Sequence, residues 1–354
     1  MPSRAEEVLA DLVKMRSAAD DPVKPFVDAI SRRLEGFGMD VRTFGDEDRP
    51  AILATKGQGG VMLSGHLDTV PIGLGWTRSQ GEVVDGTMYG RGACDMKGGC
   101  AAILLAAERL ATSDVPFSVC FTMDEEITMN GADAIALKGG IGSATAVVIA
   151  EPSDFDIIVK EKGLVQFSIR TKGRNAHASM PDLGDNAIVK MVGLLNRLED
   201  LQKVPQDTLE GLTVCVDRIS GGTQVNVIPG ECEVEVDSRY PPDMTTEDVI
   251  GLVRERLDGL EYELRVMHSL EPVETDASAG PVQALKGIVG EGARISSVPY
   301  ATERVMFKKG NPTLMVCGPG DPKLCHVPDE RIRTDDVARA AEIYVRYCTE
   351  MAGR

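Results

Sequence analysis

The stretch V-M-L-S-G-H-L-D-T-V-P, residues 61–71, leads on to Y-G-R-G-A-C-D-M-K-G-G, residues 89–99, and its reading decides the fold. The apolar run Val61-Met62-Leu63 predicts a buried strand that delivers His66 and Asp68 at its end. In an extended chain residues i and i+2 point the same way, so the Asp68 carboxylate can reach the far nitrogen of the imidazole. A carboxylate there fixes the tautomer and raises the basicity of a metal-ligating histidine. Asp95 stands just before Cys100, Ile103, Leu104 and Ala107, which recur at helical spacing. Gly92, Gly98 and Gly99 around it permit close backbone approach. Taken singly, His66 is a core histidine and Asp95 a helix cap. Together they form half of a metal site.

A chain of 354 residues is long enough for two domains. Its formal charge of −17 excludes sequence-independent nucleic-acid binding, which needs a basic face. Eight cysteines without C-x-x-C spacing, and without a signal peptide before them, predict reduced thiols in a cytoplasmic protein. Cys94 and Cys325 flank proposed site residues and read as small buried thiols. No apolar run approaches membrane-spanning length, so no membrane partner is expected.

Outward from the opening stretch, strands and helices alternate. Two helical patterns precede it, at 5–15 and 22–37, and strands are predicted at 39–44 and 51–54. After the Asp95 helix, a strand at 117–123 ends in Asp124, Glu125 and Glu126, and a buried strand at 146–150 delivers Glu151. This alternation implies an α/β layer with a mostly parallel sheet, whose functional side chains gather at the strands' carboxyl ends. Between 164 and 270 the order becomes β-α-β-β-α-β, a ferredoxin-like α+β unit. The α/β pattern then resumes, so residues 1–163 and 271–354 form a discontinuous catalytic domain and 164–270 an inserted one.

His66, Asp95, Glu126, Glu151 and His326 supply two imidazoles and three carboxylates, a set suited to zinc and compatible with cobalt or manganese. Five ligands exceed one tetrahedral site but suit two metals that share a carboxylate. Glu125 is then the spare carboxylate, placed as a base for hydrolysis. His177, like His66 and His326, lies in a glycine- and proline-rich loop motif, whereas His268 has no such setting.

With S-G-H-L-D-T-V-P, Y-G-R-G-A-C-D-M-K-G-G, T-M-D-E-E, A-E-P-S, G-R-N-A-H-A-S-M-P, N-V-I-P-G and C-G-P-G-D-P-K-L-C-H-V-P-D-E in order, the chain resembles a metallopeptidase family. It is the family of acetylornithine deacetylase, succinyl-diaminopimelate desuccinylase, aminoacylase and glutamate carboxypeptidase. The resemblance implies a zinc-peptidase-like catalytic domain with two zinc ions. His66 and Glu151 would hold one, Glu126 and His326 the other, and Asp95 would bridge, followed by a cis peptide to Met96. It implies that Asp68 orients His66 and that Glu125 serves as general base and then general acid. The inserted domain becomes a lid through which two copies form a homodimer. His177 would reach the partner's site and stabilise the oxyanion.

The same resemblance makes Asn226 and Arg239 lid contacts to substrate, and Gly318 and Gly320 points of close backbone approach. The segment A-T-E-R-V-M-F adds Glu303 to the substrate-binding residues, through a deacetylase-like T-E-A pattern in which Arg304 replaces the alanine. The implied substrate is a small N-acyl amino acid, N-acetylornithine first, with N-succinyl-diaminopimelate or a dipeptide as the alternative within the family. The alternative from another class is a metal-binding regulatory protein without catalysis. An intact Glu125 and His177 speak against it.

Overall fold

In a computed structural model of the chain, residues 2–138, 141, 143–198, 201, 211–310 and 313–353 are described. Four strands, Phe117–Thr122, Val61–His66, Ala146–Pro152 and Thr313–Gly318, lie side by side and parallel. The first three are buried at every position, as a strand covered on both faces must be. The mostly parallel sheet expected from the sequence describes this centre, and the flanks are antiparallel. Pro50–Lys56 pairs antiparallel with Phe117–Thr122 and with Asp40–Gly45, and Ile157–Glu161 pairs antiparallel with Thr313–Gly318. The short turn at 46–49 cannot carry a parallel crossover, so Asp40–Gly45 and Pro50–Lys56 must run in opposite directions. A three-stranded sheet of Glu82–Val84, Thr87–Tyr89 and Arg331–Arg333 is an addition. Strands that short show too few positions for periodicity to register.

The helix Lys97–Leu110 is buried along nearly all its length. It packs against the helices Arg4–Lys14 and Thr334–Ala352 as well as the sheet, which is why its apolar residues are not confined to one stripe. At the start of Arg4–Lys14, Ser3 and Glu6 exchange side-chain and backbone hydrogen bonds of 3.2 and 2.9 Å, satisfying amides that the first turn leaves open.

These elements belong to a compact unit of residues 1–159, 275–296 and 302–354, and residues 160–274 with 297–301 form a second. The second unit begins a few residues before the border at 163/164 read from the sequence. Lys160 and Glu161 pair with Glu274 and Val273 in a short antiparallel ladder. Within it the sheet order is Thr213–Gly221, Glu231–Tyr240, Gly163–Lys172, Glu263–Leu270, all antiparallel. With the helices Ala187–Leu198 and Thr246–Arg256 this is the ferredoxin-like arrangement, around a separate core that includes Phe167, Leu194, Val234 and Val253. The spacing of apolar residues predicts the first of these helices over 187–201, of which 199–200 lie outside the described residues.

Candidate metal centre

Parallel strands end at the same edge of their sheet, so the centre of the first unit delivers its polar residues together. His66 closes Val61–His66, Glu125 and Glu126 follow Phe117–Thr122, and Glu151 lies near the end of Ala146–Pro152. Asp95 comes from the turn before Lys97–Leu110, and its peptide to Met96 is cis. His326 comes from the segment after Thr313–Gly318, in left-handed backbone with φ 61°.

The Asp95 carboxylate stands between the two imidazoles. Its Oδ1 lies 3.2 Å from His66 Nε2, and its Oδ2 lies 3.2 Å from His326 Nε2. Glu151 Oε1 is 3.4 Å from His66 Nε2, and Glu126 Oε1 is 2.9 Å from His326 Nε2. Two groups of possible ligand atoms therefore converge within 4.8 Å, His66–Asp95–Glu151 and Asp95–Glu126–His326, and His66, Glu125 and Glu126 make a third. Imidazole nitrogens and carboxylate oxygens in such groups fit a divalent ion of intermediate softness.

Burial and mutual contacts shift the proton affinities of these groups. Burial by itself would lower the His66 imidazole, yet Glu151 and hydrogen bonds with Asp68 and Asp95 raise it well above its ordinary value. His326 is pushed up to about 10 by hydrogen bonds with Asp95 and Glu126. Burial raises Glu151 to about 7, and it raises Glu125 well above the usual carboxyl range. Asp95 moves the other way. Burial opposes its ionisation, but hydrogen bonds from His326 and His66 hold its carboxyl well below the usual range.

Asp68 does a second job beside the one its spacing suggests. The atom at hydrogen-bond distance from His66 Nδ1 is the Asp68 backbone oxygen, at 3.0 Å, while the carboxylate Oδ1 stands at 3.5 Å. That carboxylate accepts the backbone N–H groups of Glu125 and Glu126 at 3.3 and 3.1 Å. Glu330 is a residue that sequence reasoning missed. Its Oε1 accepts the N–H groups of Cys94 and Asp95, each at 2.9 Å, and its Oε2 accepts from Arg91 at 2.6 Å. The signal was present in H-V-P-D-E, where an acid beside a ligand histidine reads as a surface charge. Asp124 was missed as well. It accepts from the Gly131 N–H at 3.0 Å and from Thr128 Oγ1 at 2.6 Å, shaping the turn that carries Glu125 and Glu126.

Other predicted residues fall elsewhere. A Cβ on Gly318 would meet the Ala150 oxygen at 2.3 Å, and one on Gly99 would meet the same atom at 2.2 Å. These two glycines clamp the strand that delivers Glu151. Gly320, at φ 98°, packs against Cys94, whose Sγ lies 2.7 Å from where a Cβ would stand. Both predicted glycines thus admit neighbouring protein atoms. Glu303 is 1% exposed, as buried as His66. Neither of its carboxylate oxygens has a hydrogen bond of good geometry among the described residues, and burial pushes its carboxyl up to about 8. The adjoining Arg304 is buried too and donates to the Val159 oxygen at 2.8 Å.

In the second unit His177 and Asn226 are exposed and adjoin one short backbone bridge, His177 to Val227. The Ala178 N–H donates to the Asn226 oxygen at 2.9 Å. His177 Nδ1 accepts the Ser179 N–H at 3.2 Å and lies 2.8 Å from its hydroxyl, which leaves Nε2 to carry the proton of the neutral ring. Arg239 is not a free lid cation. Asp237 holds it through Nε and Nη2 at 2.7 and 3.1 Å.

Residues 62–350 match the model of peptidase family M20/M25/M40. The chain is 31% identical over 370 residues to an acetylornithine deacetylase of Myxococcus xanthus, covering 98% of this chain and 97% of that one. It is 35% identical over 302 residues to an acetylornithine deacetylase of Photorhabdus laumondii, covering 79% and 77%. An M20 family metallo-carboxypeptidase from Sulfolobus solfataricus has the same fold, with a TM-score of 0.82 over all of both chains at 17% identity. The chain belongs to peptidase family M20/M25/M40. It is a hydrolase of that family.

Proposed function

We propose that the chain is a two-metal amidohydrolase that removes the acyl group from a small N-acyl amino acid, with N-acetylornithine the first candidate. The observation that carries this reading is the Asp95 carboxylate, whose two oxygens face two different imidazoles. His66, Asp95 and Glu151 would hold one ion, and Asp95, Glu126 and His326 the other. Zinc suits these donors, and cobalt or manganese could replace it. Two such ions would supply Lewis acidity, polarising an amide carbonyl and making water more acidic.

The remaining work belongs to the chain. Glu125 lies among Glu126, Glu151 and His66, and its raised carboxyl suits a group that takes a proton from attacking water and returns it to the leaving amine. Asp68 positions that base through the Glu125 amide. His177 of the partner subunit donates a hydrogen bond from Nε2–H to the oxyanion, and Asn226 contributes a polar contact to the substrate. This requires a homodimer through the second unit. Met180, Leu183, Val189, Val192, Ile219 and Val225 are exposed apolar residues of that unit and favour it.

The test is a screen of the zinc-loaded protein against N-acetyl, N-succinyl and N-formyl amino acids and dipeptides, reading free amine. Hydrolysis of N-acetylornithine above the others, lost on chelation and restored by zinc, is the expected result. Preference for an N-succinyl substrate or a dipeptide would replace the acetyl assignment. Metal content without hydrolysis of any of them would overturn the catalytic reading.

A further inference from the structure

A cavity of about 330 Å³ opens in the first unit between the segment 13–21 and the loop that follows His66, and none of the candidate metal ligands lines it. Two cations form its inner wall. Arg91 is 6% exposed, and its Nε has no hydrogen-bond partner among the described residues. Its other nitrogens are engaged, Nη1 with Glu330 at 2.6 Å and Nη2 with the Ile72 oxygen at 3.4 Å. Lys97 is buried as well and donates to the Met15 oxygen at 2.7 Å. A buried guanidinium nitrogen without an acceptor carries a desolvation cost that a negative charge nearby would offset.

Charge and size narrow the occupant. Lys14, Arg16, Arg91 and Lys97 line the cavity against Asp20 and Asp21, and Glu330 offsets Arg91, which leaves an excess of one positive charge. Arg16 is further occupied by Asp21 at 3.1 Å. That balance suits a single negative charge better than the nearly double charge of a phosphate. Val13, Val70 and Ile72 give the rest of the wall an apolar character fit for a short carbon chain.

We propose that this cavity is a binding site for a small monocarboxylate, whose oxygens face the Arg91 guanidinium and the Lys97 ammonium. The carboxylate can be that of a simple organic acid or of a free amino acid, whose ammonium then faces the exposed Asp20 at the rim. The site lies one ion pair from the metal cluster, because the Arg91 partner Glu330 also accepts the Asp95 N–H. It does not depend on which amide the enzyme cleaves.

The chain carries its own reporter. Trp76 is its one tryptophan, and its ring centroid is 5.4 Å from the Arg91 guanidinium carbon. Tryptophan fluorescence of the full-length metal-loaded protein is titrated at constant ionic strength with acetate, alanine and inorganic phosphate. A saturable change with acetate or alanine, and none with phosphate, is expected. Saturation by alanine alone identifies the amino acid as the source of the carboxylate, and saturation by acetate as well identifies a simple acid. Lys97→Met removes one donor, and Ala18→Phe fills the cavity from its partly exposed rim. Each should weaken binding at least ~10-fold, equal to about 1.4 kcal/mol. If Lys97→Met fails to fold, Ala18→Phe decides. Absence of a saturable response to either carboxylate, an equal response to phosphate, or unchanged affinity in folded Ala18→Phe would overturn the proposal. The last result also covers carboxylates that bind at the metals instead.

Discussion

At the sheet edge of the first unit the cluster residues are fastened by residues far along the chain, whereas His177 in the second unit is held by its own neighbours. Asp68 grips the amides of Glu125 and Glu126, and Glu330 grips that of Asp95. His177 rests on Ser179, two residues away, and on a bridge to Val227 at the surface. The difference teaches where each part gets its precision. The cluster is preorganised by buried structure, so its geometry is complete in one chain. His177 has an open face, and in the proposed reaction its position comes from a second surface.

The sharpest way to break this comparison is at the base. Glu125→Gln keeps the shape of the side chain but cannot take a proton, so turnover should fall by ~10²–10⁴ while metal content stays unchanged. Rate measurement beside metal analysis checks this, and near-normal turnover would move the base to another carboxylate. His177→Ala comes next, with an expected loss of ~10²–10³ and intact metal binding. Mixing it with Glu125→Gln should restore activity after subunit exchange. In such a heterodimer one site keeps its own Glu125 and receives His177 from the other chain. No recovery, with exchange shown by differently tagged subunits, would confine His177 to its own chain.

Asp68→Asn probes the fastening itself. The amide keeps the size but weakens the charged acceptor for two backbone N–H groups, and metal affinity should drop by ~10–100-fold in a competition titration with a chelator. Unchanged affinity would mean that the turn holds Glu125 and Glu126 unaided.

The smallest effect expected is on pH dependence. In the metal-free protein His66, His326 and Glu151 all bind protons more tightly folded than free. A raised folded pKa gives stability that is present below the unfolded value and lost as pH rises through the folded one. For Glu151 that window runs from its ordinary carboxyl value to about 7, and for His326 from its ordinary imidazole value to about 10. Asp95 is shifted the opposite way, and its effect falls in the acid range. The Tm of chelator-treated protein should therefore fall between about pH 5 and 9. With metal restored the trend should flatten or reverse, because ligation needs these groups deprotonated. A rise in Tm across that range without metal would contradict the assigned network.

Much of this was legible in the sequence because the relevant signals repeat. Buried runs such as Val61-Met62-Leu63 recur before each polar strand end, so a parallel centre and a shared edge follow from alternation. The β-α-β-β-α-β order of the second unit was readable for the same reason. What stayed hidden was pairing across distance. Nothing local distinguishes Glu330, which holds a backbone turn, from an exposed acid. Nothing in the spacing of His66 and Asp68 says that a carbonyl, not the carboxylate, approaches the ring most closely. Arg239 reads as a strand-end cation until Asp237 is found beside it. Glu303 sits in a loop-like stretch, yet it is buried because Arg304 and the short helix Arg304–Phe307 fold inward.

The long reach of the Glu330 clamp bears on how the enzyme is made. Glu330 meets the Asp95 amide across 235 residues, and His326 meets Glu126 across 200. During synthesis the chain emerges from its amino end, so His66, Asp95, Glu126 and Glu151 are all exposed to the cell before their last partners exist. Closing loops of that length is entropically slow and happens late. A nascent chain therefore offers a metal at most part of a site, and the second group of ligands arises with the segment around His326. With the proposed two-metal site, metal loading becomes a step of maturation, tied to completion of the fold.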